Sequence, residues 1–378
     1  KLHWYLIKVR DHKLTVTQLR EIEYLISGQG LAGSLLAWQL LKEGKKVMVV
    51  DEDLEFTSTK VASGMMHPIT GRRIVLSWRA DEFVPFARKT FKEIENATGV
   101  RFFFDMPVFE IYHDHGNRND WIARSAQGKF KDYLGEECEA KDVHENVNAP
   151  FGGQWLINSG WLDAGFFVEA MKEYLKANNS YCSGRISEAA QIKTDKGYCF
   201  EDIIAEKFVS CIGYQAIFDD NWKYLPFNPA KGEEIAFTAE GNLPSDYIIH
   251  DSIKIIPIGE QKYRCGATYA WKDFTPTPTA EGLAKLKEGI ASLIKVPYKV
   301  TAQRAGIRPA TFDRRPFLGK HPEKENLYIF NGLGSKGVMM GPLLGYEMMK
   351  FLVYGEEILS EYDIKRFNDA YYSSFATR

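Results

Sequence analysis

The segment Gly28-Gln29-Gly30-Leu31-Ala32-Gly33 constrains this chain more than any other, because of what stands on either side of it. Before it, Tyr24-Leu25-Ile26-Ser27 reads as a short buried strand. After it, Leu35, Leu36, Leu40 and Leu41 recur at helical spacing toward Gly44, and Val47-Met48-Val49-Val50 forms a second buried strand closed by Asp51. The whole is a βαβ unit of about 30 residues. Each glycine has its own task. Gly28 permits the tight turn, Gly30 lets the backbone approach a diphosphate with no Cβ in the way, and Gly33 lets the helix pack closely on the strand. The helix start at Leu31 and Ala32 presents free N–H groups and the positive end of the helix dipole to phosphates. Asp51 is placed to accept hydrogen bonds from ribose hydroxyls. The unit predicts dinucleotide binding and leaves open whether the nucleotide is a flavin or a nicotinamide.

At 378 residues the chain is long enough for about two domains of roughly 150 residues each. A net charge of −2 supplies no overall basic field for nucleic acid or anionic lipid, so neither is an expected partner. No apolar run approaches the roughly 20 residues of a membrane span. Residues 1–23 mix Lys, Arg, Glu and His too evenly for a signal peptide, and a cytoplasmic location is expected; Lys1 in place of Met leaves the true start open. Cys138, Cys182, Cys199, Cys211 and Cys265 are scattered with no paired spacing, which argues for reduced thiols rather than a disulfide framework or zinc site. His113-Asp114-His115 invites a metal reading, with both histidines on one face of a strand. The neighbouring Gly116-Asn117 reads as a turn and no further ligand cluster follows, so no metal is expected.

Farther along, residues 79–97 and 164–176 read as amphipathic helices, the second with Asp163 as its N-cap. Strand-like runs at 101–104 and 108–112 follow the first. Phe208-Val209-Ser210-Cys211-Ile212-Gly213 reads as another buried strand of the first sheet. From Glu233 to Tyr269 the pattern turns to β-like runs with polar turns; a helix near 279–293, a strand near 298–301 and a last helix from about Gly341 to Tyr354 follow. The expected architecture is α/β, a Rossmann-like nucleotide-binding domain with an inserted, β-rich α+β substrate domain. The boundaries read as 21–78, 135–230 and 302–360 for the first, 79–134 and 231–301 for the second, and 1–20 as an N-terminal extension.

The choice of nucleotide comes from the C-terminal third. Gly306-Ile307-Arg308-Pro309 leads to Pro316-Phe317-Leu318-Gly319, and Asn331-Gly332-Leu333-Gly334-Ser335-Lys336-Gly337 precedes Gly341-Pro342. Ala62-Ser63-Gly64-Met65-Met66, Gly160-Trp161-Leu162-Asp163, Lys231-Gly232-Glu233-Glu234 and Cys265-Gly266-Ala267-Thr268 lie between, in order. From about Tyr24 to about Tyr354 the chain resembles the D-amino acid oxidase/glycine oxidase family of FAD-dependent oxidoreductases. The resemblance implies FAD as cofactor, with Asp51 and Glu52 on the adenosine ribose, and Ser58, Thr59, Ser63, Gly64 and Met65 along the pyrophosphate and isoalloxazine. It also implies Ile186 on the adenine side, Gly213 at the end of its strand, and Leu333, Gly334, Ser335, Lys336, Gly337 and Val338 around the pyrimidine end of the flavin. The glycines there allow close backbone approach, and a helix starting near Val338 or Gly341 would aim its positive end at the ring.

Within that resemblance Arg308 is the expected clamp for a substrate carboxylate, since a guanidinium matches a carboxylate as a two-pronged fork. Lys254 stands where glycine-oxidase-like relatives place an aromatic hydroxyl; an ammonium there favours a second anionic group on the substrate or a neutral amine. No cysteine accompanies the GxRP motif, so the FAD is expected to be non-covalent. Arg72-Arg73 reads as a solvated turn. The implied reaction is oxidation of the C–N bond of a small amine or amino acid by hydride transfer to flavin N5, with oxygen or another acceptor left open. Alternatives are an FAD enzyme that trims an aminomethyl group on tRNA, and a non-catalytic flavin-binding protein.

Overall fold

The strand Arg20–Ser27 begins before its apolar stretch, because Arg20 to Ile22 already pair in parallel with Ile203–Ala205 at the start of the strand Ile203–Ser210. The computed structural model describes residues 5–10, 13–70, 74–186, 192–194 and 197–376, with 5–18, 70, 192–194 and 374–376 described by backbone alone. Arg72 and Arg73 lie outside the described residues. Residues 5–10 and 13–18 form an antiparallel hairpin.

Five parallel strands build the first sheet in the spatial order Tyr181–Ser183, Val47–Asp51, Arg20–Ser27, Ile203–Ser210 and Leu327–Asn331. The α-helices among the described residues, in chain order, are α1 (Leu31–Lys42), α2 (Ser58–Val61), α3 (Ala80–Thr98), α4 (His115–Ser125), α5 (Ala164–Ala177), α6 (Ala280–Leu293), α7 (Gly337–Tyr354) and α8 (Asn368–Ala376). Both faces of the parallel sheet are covered, as such a sheet requires. Tyr24, Ile26, Val47 and Val49 belong to the core formed with α1, α3, α5 and α7. Leu25, Met48, Val50 and Phe208 point the other way, into a core with Trp222, Phe317 and Ile364.

The second sheet runs Leu134–Cys138, Gly153–Leu156, Val108–Ile111, Ile248–His250, Lys254–Pro257, Lys262–Gly266, Ala230–Ala239 and Tyr298–Arg308. Its period-2 alternation separates two chemistries. Phe109, Ile235, Phe237, Ile255 and Tyr263 bury against Leu286, Ile290 and Leu293 of α6. The Glu233 carboxylate helps fix that helix, accepting from Thr279 N (2.9 Å), Thr279 Oγ1 (2.7 Å) and Gln303 Nε2 (2.8 Å). The opposite face carries charged residues and turns toward the first sheet.

Several sequence expectations shift. The strands Leu134–Cys138 and Gly153–Leu156, read with the first domain, pair into the second sheet. Helix α3, read with the second domain, lays Phe83, Ala87, Phe91 and Ile94 into the core beside α7. Local pattern identifies such elements but not their pairing partners. His113-Asp114-His115 is not a strand: Asp114 caps α4, its side chain accepting from Asn117 N at 2.7 Å, and His115 is the first helical residue. Helix α7 starts at Gly337, one residue before the first of the two expected starts, Val338 and Gly341, with Pro342 inside it. The strand expected at 298–301 continues to Arg308. No helix among the described residues is long and apolar enough to cross a membrane.

Candidate active site

A cavity of about 950 Å³ lies at the C-terminal ends of the parallel strands, where such sheets bind ligands, and is closed on its far side by the charged face of the second sheet. Gly30 and Gly334, 304 positions apart, line this one space. So do Gly28, Leu31, Ala32, Asp51, Glu52, Ser58, Thr59, Ser63, Gly64, Met65, Ile186 and Gly213, and the whole run from Leu333 to Val338. Gly33 does not line it. A Cβ at Gly33 would lie 1.9 Å from the Gly28 carbonyl oxygen, so its place is the contact of helix with turn. Gly28 takes φ +96°, a conformation that strains any other residue.

Asp51 is engaged from below: Oδ2 accepts from Gln29 N and Oδ1 from Asp53 N, both at 2.7 Å. These bonds fix the carboxylate and leave lone pairs toward the cavity. Thr59 is more than a lining residue, since its hydroxyl accepts from Leu31 N at 3.1 Å and ties α2 to the start of α1.

The helix ends reveal the electrostatics. Helices α4, α5 and α6 have side-chain caps at Asp114, Asp163 and Thr279, and α3 carries Asp81 and Glu82 in its first turn. Helices α1 and α7 have neither a side-chain cap nor an acidic first turn. Both start in the cavity wall, at Gly30 and Lys336. Apart from Leu31 N, which Thr59 answers, the first N–H groups of both helices thus face one space in two sets, which suits an anionic ligand. Asn331 braces the second set, donating Nδ2 to Gly213 O (2.8 Å) while Oδ1 accepts from Gly332 N (2.8 Å). The Lys336 ammonium is turned to Ser77 Oγ, and burial pulls it down to about 8.

The expected substrate residues Arg308 and Lys254 also line the cavity, on the charged face. The Arg308 guanidinium lies over Gly232, where a Cβ would come within 2.1 Å of Nη2. Its Nη1 donates to Thr268 O at 3.2 Å, and the Tyr269 ring centroid stands 4.2 Å from its central carbon. Burial lowers its affinity for the proton. Among the described residues it has no carboxylate partner. Burial and the Arg308 charge bring Lys254 down to about 8, opposed by Glu234.

Among the lining residues that the sequence does not assign to the site are His67, Glu234, His250 and Tyr269. Burial, with His250, Lys336 and Lys254 nearby, holds the His67 imidazole well below its usual range. His250 pairs with Glu110. Glu234 Oε1 accepts from Arg304 Nη2 at 2.6 Å, and burial raises its carboxyl. For Glu234 the available signal is strand alternation, since Ile235 and Phe237 mark the core-facing positions of its strand. Among the described residues no cluster of His, Cys, Asp or Glu is arranged to hold a metal.

Comparison with known proteins bears on this arrangement. A family model described as DAO, FAD dependent oxidoreductase, matches residues 23–350. The glycine oxidase of Bacillus licheniformis is 22% identical over 363 residues, spanning 91% of this chain and 96% of that protein. The tRNA 5-methylaminomethyl-2-thiouridine biosynthesis bifunctional protein of Actinobacillus pleuropneumoniae is 22% identical over 399 residues, spanning 92% of this chain and 58% of that longer protein. The crystal structure of glycine oxidase from Bacillus cereus shares the fold, with TM-score 0.75 and 19% identity over 89% of this chain and 96% of that one.

Proposed function

Because the chain belongs to the DAO family of FAD-dependent oxidoreductases, we propose that it oxidises the C–N bond of a small amine or amino acid whose carboxylate docks on Arg308. The observation that carries this reading is the Arg308 guanidinium, drawn into the cavity wall with no anion to answer it among the described residues. A charge in that position is costly unless a ligand pairs with it.

The residues present suit FAD. The two helix ends without N-cap side chains supply backbone donors for a diphosphate and for the hydrogen-bond-accepting edge of a ring, and Gly30 leaves room for the first of these. Gly28, Gly30, Leu31, Ala32, Thr59 and Asp51 would hold the diphosphate and ribose, with Gly33 keeping the helix in place. Glu52 and Ile186 would meet the adenosine; Ser58, Ser63, Gly64, Met65, Gly213 and residues 333–338 would meet the flavin half. The first sheet would thus carry the cofactor and the second the substrate. Bound FAD supplies a two-electron acceptor for the hydride on the carbon beside nitrogen, leaving an imine that water hydrolyses.

The protein's own contribution is placement and charge. Four of the five guanidinium N–H groups of Arg308 remain after the bond to Thr268, enough for a two-pronged grip on a carboxylate. Tyr269 over the guanidinium limits its swing. The positive charges of Arg308 and Lys254 disfavour a third cation, so the substrate amine is pushed toward its neutral form. A neutral amine can drive loss of the neighbouring hydride with no protein base.

The test is a visible spectrum of the purified protein followed by anaerobic addition of amines and amino acids. Bleaching by small amino acids, and not by matching amines without a carboxylate, is the expected result. A protein that takes up no FAD, or whose flavin no amine bleaches, would refute the proposal. Bleaching only by an aminomethylated tRNA nucleoside would move the substrate to nucleic acid.

A further inference from the structure

We infer that the substrate carries a second acidic group and that Lys254 receives it, so that the substrate class is an amino acid with two carboxylates. The reaction part of this inference rests on the amine oxidation proposed above; the binding part does not.

Strand register sets Glu110, His250, Lys254, Gly266, Glu234 and Arg304 side by side across the second sheet. The successive pairs are Glu110 with His250, His250 with Lys254, Lys254 with Gly266, Gly266 with Glu234, and Glu234 with Arg304. Residues directly opposite one another share a face, and this face is the cavity side, which His250, Lys254, Gly266 and Glu234 line.

Both ends of the row are engaged by partners within the protein. Glu110 pairs with His250 at one end, and Arg304 with Glu234 at the other. Arg264, on the same face, pairs with Asp163 at 3.2 Å. Lys254 in the middle has no hydrogen-bond or ion-pair partner among the described residues, although burial has already weakened its hold on the proton. Gly266 keeps the space between Lys254 and Glu234 open: a Cβ there would meet its nearest atom at only 3.4 Å, ordinary contact.

Of the cations on the sheet side, Arg304 pairs with Glu234 and Arg264 with Asp163, which leaves Lys254 and Arg308 with no carboxylate partner among the described residues. Charges drawn from water are paired or are costly. One substrate carboxylate on Arg308 leaves one charge unanswered, and a second acidic group on Lys254 answers it. The uncapped helix ends that suit the cofactor lie on the other wall, in the first sheet's half of the fold, so the cofactor's diphosphate does not compete for these cations.

The experiment uses the FAD-loaded protein and inert ligands. Malonate, succinate and glutarate are titrated against propionate, butyrate and valerate, and dissociation constants are read from the flavin spectrum at pH 7. At least one dicarboxylate should bind about 10- to 100-fold more tightly than its chain-matched monocarboxylate, the scale of one added bond to a charged group. Lys254→Met should erase that preference, weakening dicarboxylates far more than monocarboxylates, while Lys254→Arg should retain most of it. Equal binding of the two series by the unaltered protein, or a preference that survives Lys254→Met, would overturn the inference. In parallel, aminodicarboxylic acids should bleach the flavin anaerobically at lower concentration than glycine or sarcosine. Failure of the oxidation reading looks different: no amine bleaches the flavin, while the dicarboxylate preference still supports the two-anion receptor.

Discussion

Replacing Arg308 with methionine separates a substrate clamp from a structural arginine, because the two roles move binding and stability in opposite directions. A carboxylate held by two charge-assisted bonds gains about 1.5–3 kcal/mol from each. Lys254 nearby would keep part of the anion's attraction, so the expected loss is near the lower bound, about 3–4 kcal/mol, or roughly 100- to 1,000-fold in dissociation constant. The ligand-free protein sees another balance. Methionine forfeits one bond to Thr268 O, worth about 1 kcal/mol, and the contact with the Tyr269 ring, worth about 1 kcal/mol. It also removes a charge that no described carboxylate answers, which offsets about the same amount or more. The melting temperature of the FAD-loaded variant should therefore hold or rise while carboxylate affinity collapses. Arg308→Lys keeps the charge without the fork, and its affinity should fall between the two. Spectral titration with carboxylates and amino acids, alongside thermal melts followed by flavin fluorescence, reads both quantities. A variant binding carboxylates within threefold of the unaltered protein, or one that loses FAD and melts early, would refute the clamp.

Gly33→Ala places a methyl 1.9 Å from a backbone oxygen that cannot swing away, so α1 must shift off its turn. We expect a stability loss of about 1–3 kcal/mol or more, with weakened FAD retention on gel filtration; an unchanged melt and unchanged FAD affinity would contradict the packing role. His321 makes a prediction about acid. Its buried ring accepts from Glu323 N (3.1 Å) and Lys324 N (2.9 Å) through Nδ1, and burial with Lys324 nearby pulls it down to about 4 from about 6.5. The unfolded chain therefore takes up the proton first, and stability falls as pH drops from about 6.5 to about 4, by roughly 3 kcal/mol in total. Urea unfolding of His321→Asn, whose amide oxygen can accept the same backbone donors, should show a shallower decline over that window; parallel curves would exclude His321 as the source.

The nucleotide half of the site was legible because its chemistry is local. A turn, a helix start and a strand end lie within 24 residues, from Gly28 to Asp51, and each glycine's task follows from backbone geometry alone. The placement of Arg308 and Lys254 in one cavity with the glycine turns came from the resemblance, not from spacing. Their neighbours were not legible. Glu234, Gly266 and Lys254 are adjacent only through the register of three strands drawn from separate parts of the chain. Arg308 finds room for its guanidinium only because Gly232 lies opposite Gly306 on the partner strand, under the side chain's path. The strand considered for His113 and His115 gives way for a related reason: Asp114 followed by Gly116-Asn117 is compatible with a turn or with a capped helix, and the structure has the capped helix, with Trp121 buried on it.

The two sheets manage charge by different means, and this separates what the fold needs from what the substrate selects. On the first sheet, ligand-facing donors are largely backbone groups at the starts of α1 and α7, so they hold as long as the helices pack. On the second sheet they are side chains of alternate residues, while the intervening residues, Ile235, Ile255 and Tyr263 among them, fill the core against α6. Because successive side chains in a strand face opposite ways, a substitution at position 254 meets the cavity and leaves the packing of Ile255 untouched. Specificity can therefore change one residue at a time along the cavity row at small cost in stability. Glu234 and His250 are exceptions, since removing either strands its partner, Arg304 or Glu110, as well as altering the cavity. On the proposed reading, Lys254, which forms no hydrogen bond or ion pair among the described residues, is the position where a substitution would alter the substrate with least disturbance to its neighbours.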